Sequence, residues 1–159
     1  MYIFTPGPTL ITMRIIIIFL LLSLPCLGQS KEQAPALLND ILRKLDGKTI
    51  QLEQMGVLAG IKVSKQEFAG EKFISNIQID TDLPLYQTMV IPWEVKVGAQ
   101  SQQNAGYSEV NYFFREEFTM TLANTPEEKP INVSGSSVQF YIEAADFERF
   151  EELIEIWSE

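Results

Sequence analysis

A chain of 159 residues with no histidine and a single cysteine excludes a Ser-His-Asp triad, a Cys-His nucleophile, imidazole proton shuttles and ordinary zinc or copper centres, since each needs imidazole, thiolate or both. The formal charge of −9 is unevenly placed: residues 29–100 hold 8 basic and 9 acidic side chains, residues 101–159 hold 3 and 12. Such a field repels nucleic acid and anionic lipid and draws in a basic partner, and it also keeps a surface soluble.

Residues 15–24 are an almost unbroken apolar run, preceded by Arg14 and followed by Pro25-Cys26-Leu27-Gly28. One basic residue, a short apolar run and a small residue at the exit are the pattern of a secretory signal peptide. The expectation is a signal over residues 1–28, cleaved after Gly28, with Met13 as the true start. A membrane span takes ~20 apolar residues, and this run reaches that length only by taking in Arg14. Cys26 offers lipoprotein anchoring as an alternative, although Pro25 beside it fits that pattern poorly. The exported domain, residues 29–159, would contain no cysteine and hence no disulfide, and would sit in a bacterial periplasm or be secreted.

Along that domain, Leu37, Leu38, Ile41, Leu42 and Leu45 recur at three and four, with Pro35 in the first turn and Gly47 past the end. The spacing predicts a short amphipathic helix over 34–45. A weak strand is expected over 49–55. Ile61 and Val63, then Phe73, Ser75, Ile77 and Ile79, alternate about a turn at Ala69-Gly70-Glu71 and read as a hairpin. Ile91, Trp93, Val95 and Val97 alternate in the next expected strand. Residues 98–106 contain no large apolar side chain and read as an exposed loop.

The longest alternating stretch is 107–122. Val110, Tyr112, Phe114, Phe118, Met120 and Leu122 fall on one side, with Phe113 the only apolar residue among those opposite. A strand this long must bend or break. Glu116 sits in the apolar row, and a bulge at Arg115-Glu116 would restore the alternation and supply the bend. Residues 124–130 form a second loop, and Val138, Phe140 and Ile142 a last strand. Phe147, Phe150, Leu153, Ile154 and Trp157 at helical spacing, with Glu148, Glu151, Glu152 and Glu155 opposite, complete the chain as an amphipathic helix. The fold class is therefore α+β: a largely antiparallel sheet of five or six strands with an N-terminal and a C-terminal helix packed on one face.

The sequence contains no phosphate-binding glycine loop, dinucleotide turn or nucleophile elbow. Carboxylate chemistry survives this filter, with Glu116 as its candidate and Glu94 as a second carboxylate, because an acid in an aromatic row would have its pKa raised as a general acid requires. The leading expectation is nevertheless a non-enzymatic, exported binding domain that recognises a basic protein partner, as an inhibitor or immunity protein does. Its expected contact residues are Trp93, Tyr107, Tyr112, Phe113, Glu148, Glu151, Glu152 and Glu155, with the loops at 98–106 and 123–132. A carrier of a small apolar ligand, lined by Trp93, Tyr112, Phe114 and Trp157, is the alternative. Asp80-Thr81-Asp82 lacks the downstream glycine and glutamate of a calcium loop and reads as a turn. No cofactor, no metal and no nucleic acid are expected.

Overall fold

The computed structural model describes residues 30–54, 57–80, 83–104 and 106–158. The expected signal peptide, with Met13, Cys26 and the Gly28 cleavage point, lies outside the described residues. Helix α1 (Ala34–Leu42), with Pro35 in its first turn, runs into a 3-10 turn (Arg43–Leu45). Gly47 then turns the chain at φ +75°, a backbone conformation that favours glycine. The strands are β1 (Lys48–Gln54), β2 (Val57–Ala69), β3 (Lys72–Ile79), β4 (Leu85–Val90), β5 (Lys96–Gln103), β6 (Tyr107–Ala123) and β7 (Ile131–Glu143). A 3-10 turn (Ala144–Asp146) leads into α2 (Phe147–Ser158).

The protein is α+β, with one antiparallel sheet and two terminal helices. The described residues form seven strands rather than the expected five or six. The difference arises where a strand was expected over Ile91–Val97. Instead β4 stops at Val90, Trp93–Val95 form a 3-10 turn, and β5 begins at Lys96. Pro92 cannot donate to a ladder. β4 and β5 therefore lie end to end along one edge of β6, with Met89 opposite Met120 and Lys96 opposite Phe114. Residues 98–103, expected as loop, are strand because Ser108–Phe113 supply a ladder for them, although seven of the eight β5 residues are exposed.

β6 breaks its register where it passes that interruption. Phe113 pairs with Ser137 and Phe118 with Gly135, so Phe114–Glu117 oppose Ser136 alone. Arg115, Glu116 and Glu117 are exposed there, while Phe114 and Phe118 remain buried in ring contact. The extra residues let the apolar row continue past Glu116.

A second irregularity, in β2, organises the core. Ladder pairing shifts between Val63 and Lys65, so Ile61, Val63, Gln66 and Phe68 all share a face with Phe73, Ser75 and Ile77. β7 rolls back against that face and separates two apolar clusters. Val138, Phe140 and Ile142 join Leu38 and Leu42 of α1, Phe150, Leu153 and Ile154 of α2, and Phe68, Phe73 and Met89 of the sheet. Tyr141, pointing the other way, joins Tyr107, Ile50, Ile61, Val63 and Ile77. Each such fully buried side chain contributes ~1.5–3 kcal/mol.

A strand edge pressed into a core must still bond its amides. The fully buried Gln66 side chain does this for β7, donating to Tyr141 O at 2.8 Å and accepting from Tyr141 N at 3.0 Å. Asn39 of α1 does the same for β2 beyond the end of β1. It donates to Phe68 O at 2.9 Å and accepts from Phe68 N at 2.7 Å. Two ion pairs, Lys44–Asp146 and Lys48–Glu143, both at 2.7 Å, tie the start of the domain to its end.

Gln66→Met keeps the volume and deletes both bonds, leaving a buried N–H and C=O unpartnered. It is expected to lower unfolding free energy by about 2–4 kcal/mol, read from the urea midpoint at unchanged m-value.

Candidate functional site

The expected contact residues separate into groups. Trp93, Tyr112, Glu151 and Glu155 converge. Tyr112, on the core side of β6, presents its ring edge-on to Trp93 at 5.5 Å, and Trp93 meets Trp157 of α2 at 5.6 Å and Phe114 at 6.0 Å. The Tyr112 hydroxyl donates to Glu151 Oε1 at 3.5 Å, the outer limit of a hydrogen bond. The Lys96 ammonium lies 5.5 Å from the centre of the same ring, a cation–π contact that no spacing in the sequence signals. Trp93 thus touches the rings of Tyr112, Phe114 and Trp157 in this layer.

The remaining residues lie elsewhere. Tyr107 belongs to the second apolar cluster, and its hydroxyl bonds to Gln51 O. Phe113 is 39% exposed on the opposite face of β6, between Gly98 of β5 and Ser137 of β7. Glu148 is exposed, and Glu152 pairs with Arg149 at 2.6 Å within α2. The two loops expected at 98–106 and 123–132 to share a contact adjoin opposite ends of the 17-residue β6, next to Tyr107 and next to Ala123. They cannot meet the same small patch of a partner.

Glu116 is exposed within the irregularity of β6, without the desolvation that its proposed role as a general acid relies on. Asp80 holds a turn: its φ is +46° and its Oδ1 accepts from Gly60 N at 2.6 Å, while Thr81 and Asp82 lie outside the described residues. The described residues contain no group of three or more Asp, Glu, His or Cys placed to hold a metal ion. No described helix is long and apolar enough to cross a membrane.

One buried acid escaped sequence reasoning. Glu109, 7% exposed, accepts from Asn111 at 2.8 Å and Gln139 at 2.5 Å through Oε1, while Oε2 has no hydrogen-bond partner. Its position in the polar row of β6 gave no sign of this, because β7 folding inward is what covers it.

Two shallow clefts flank the far end of the sheet beneath the 124–130 loop. One, of about 220 Å³, lies over Ile74, Thr88 and Thr121; the other, of about 240 Å³, over Leu85, Leu122 and Ile131. Both fall below the ~300 Å³ at which small-molecule sites ordinarily begin. No family model matches the chain, and neither the curated proteins nor the solved structures give a match.

Burial, then the charges of Glu151 and Glu155, pushes the Tyr112 phenol well up; burial, then Glu109, does the same for Tyr141. The native state therefore keeps protons that an unfolded chain releases above pH ~10. The stability these phenols contribute is fully present below pH ~10 and is lost as pH rises through their raised native values. Spectroscopic titration of phenolate should show two tyrosines that ionise only together with unfolding. For Glu116→Gln, a change in stability within about 0.5 kcal/mol is expected, as for a surface substitution.

Proposed function

We propose that this chain is an exported, non-enzymatic binding domain of the bacterial envelope that recognises a basic protein partner, in the manner of an inhibitor or immunity protein. The observation that carries the reading is unneutralised carboxylate. Among the described residues, the ion pairs take up Glu67, Glu143, Asp146 and Glu152. Glu148, Glu151 and Glu155 of α2 and Glu94, Glu116 and Glu117 near the β4–β5 junction stand in no ion pair there. Carboxylates with no cationic partner make a field that accelerates the approach of a cationic surface.

The same reading has α1 and α2 lie together on one face of the sheet, which leaves the acidic side of α2 turned to solvent. Support comes from the single cluster in which Leu38, Leu42, Phe150 and Leu153 meet Phe68, Phe73 and Phe140. The exposed Phe113 ring adds an apolar contact on the other face.

The test is the salt dependence of association with a small basic protein such as lysozyme or cytochrome c. Affinity is expected to fall at least about tenfold between 0.05 and 0.5 M salt. Glu148→Gln/Glu151→Gln/Glu155→Gln should cost a similar factor at low salt while the thermal midpoint stays within a few degrees. Binding indifferent to salt and to these substitutions would overturn the proposal.

A further inference from the structure

β5 is bonded to β6 along one side, and no other described strand pairs with it. Its outward row of backbone groups can be identified. Gln66 takes the outward N–H and C=O of Tyr141, so Glu109, opposite Tyr141, turns its own groups toward β5. Gln102, opposite Glu109, is then a bonded partner, and the groups of Ala99, Ser101 and Gln103 face out. The hairpin bond from Asn104 N to Tyr107 O at 2.9 Å agrees with that alternation.

Open edges are ordinarily blunted by charge, proline or covering elements. β5 has one charge, Lys96 at its start, and Val97–Gln103 beyond it carries neither charge nor proline. β1 by contrast carries Lys48, Glu53 and the Lys48–Glu143 pair. β7 is closed at Tyr141 by Gln66; its first residues, 131–137, are also uncharged, but they run along Phe113–Leu122 of β6, whereas Ala99 of β5 opposes Tyr112, beside Glu151.

The two faces of that edge differ. Ala99 opposes Tyr112, whose hydroxyl meets Glu151 and whose phenol feels the charge of Glu155. A residue added beside Ala99 would project its side chain toward those carboxylates over a methyl group. Gly98 opposes Phe113, and the space a Cβ of Gly98 would occupy is empty. The next residue of an added strand would lie beside the exposed Phe113 ring, with Val97, itself 56% exposed, next to it.

We infer that the outer edge of β5 accepts an extended segment of a partner protein as an added strand, in which basic residues facing α2 alternate with apolar residues facing Phe113. The inference rests on the reading of a basic partner and names the element that takes it. Main-chain bonds to Ala99, Ser101 and Gln103 hold the segment, and the alternation of its side chains fixes its register.

The experiment uses the full chain and an octapeptide alternating lysine and valine, with amide shifts read by NMR and affinity by Trp fluorescence. Two control peptides keep the charge. One is methylated at every backbone nitrogen; the other places four lysines before four valines. The alternating peptide is expected to shift the amides of residues 97–103 first and to bind at least about tenfold tighter than either control. Ser101→Pro removes one outward donor without touching the β6 ladder, as proline at an edge allows. It and Glu151→Gln/Glu155→Gln should each weaken binding by at least about fivefold. Equal affinity for the methylated peptide would overturn the added strand while leaving a basic partner for the acidic helix. A stable dimer through β5 without peptide would also overturn it, in favour of a second copy. If no basic peptide and no basic protein binds, the inference and the reading beneath it fall together.

Discussion

The fold depends on one constraint: a strand edge taken out of water must still find partners for its N–H and C=O groups. Two side-chain carboxamides meet it here. Gln66 serves Tyr141 where the rim of β7 turns inward, and Asn39 serves Phe68 where β1 no longer covers β2. An amide side chain carries one donor group and one acceptor, so it can stand in for a residue of a neighbouring strand. The sheet can thus close on itself without a further strand, and α1 can sit on it without leaving backbone groups unbonded.

This closure decides what is left open. β7 spends its two faces on two apolar clusters, and it covers Glu109 while doing so. β5 has no such fate. It lies past the end of β4 on the side of β6 away from β7, and beyond Lys96 and Val97 its side chains are small or polar. The aromatic layer of Trp93, Tyr112 and Trp157 brings the glutamates of α2 close to its first residues. An unprotected edge next to unneutralised carboxylate is the arrangement on which the proposed recognition of a basic segment rests.

Much of this was legible before any coordinates. The alternation of 107–122 identified β6, and the misplaced Glu116 marked where its register breaks. Both terminal helices followed from leucine and aromatic spacing. What could not be read was structure made by pairing alone. Residues 98–103 bury nothing, so no apolar rhythm announces a strand that exists because Ser108–Phe113 bond to it. Ile91, Trp93 and Val95 alternate in the sequence as a strand would, yet Pro92 ends the ladder and Trp93–Val95 form a 3-10 turn. Gln66 stands between Lys65 and Glu67 with no apolar rhythm to mark it, and the register shift between Val63 and Lys65 is what turns it inward. Tyr107 and Phe113 were expected in one site with Tyr112, but strand alternation puts both on the other face of β6.

Native-state hydrogen exchange followed residue by residue tests the closed and the open edge in one measurement. The Tyr141 amide, on an outer rim yet held by Gln66, should exchange as slowly as the core, and the amides of Ala99, Ser101 and Gln103 should exchange fast while those of Gln100 and Gln102 are protected. Rapid exchange at Tyr141, or uniform protection along 97–103 in the protein alone, would contradict the account.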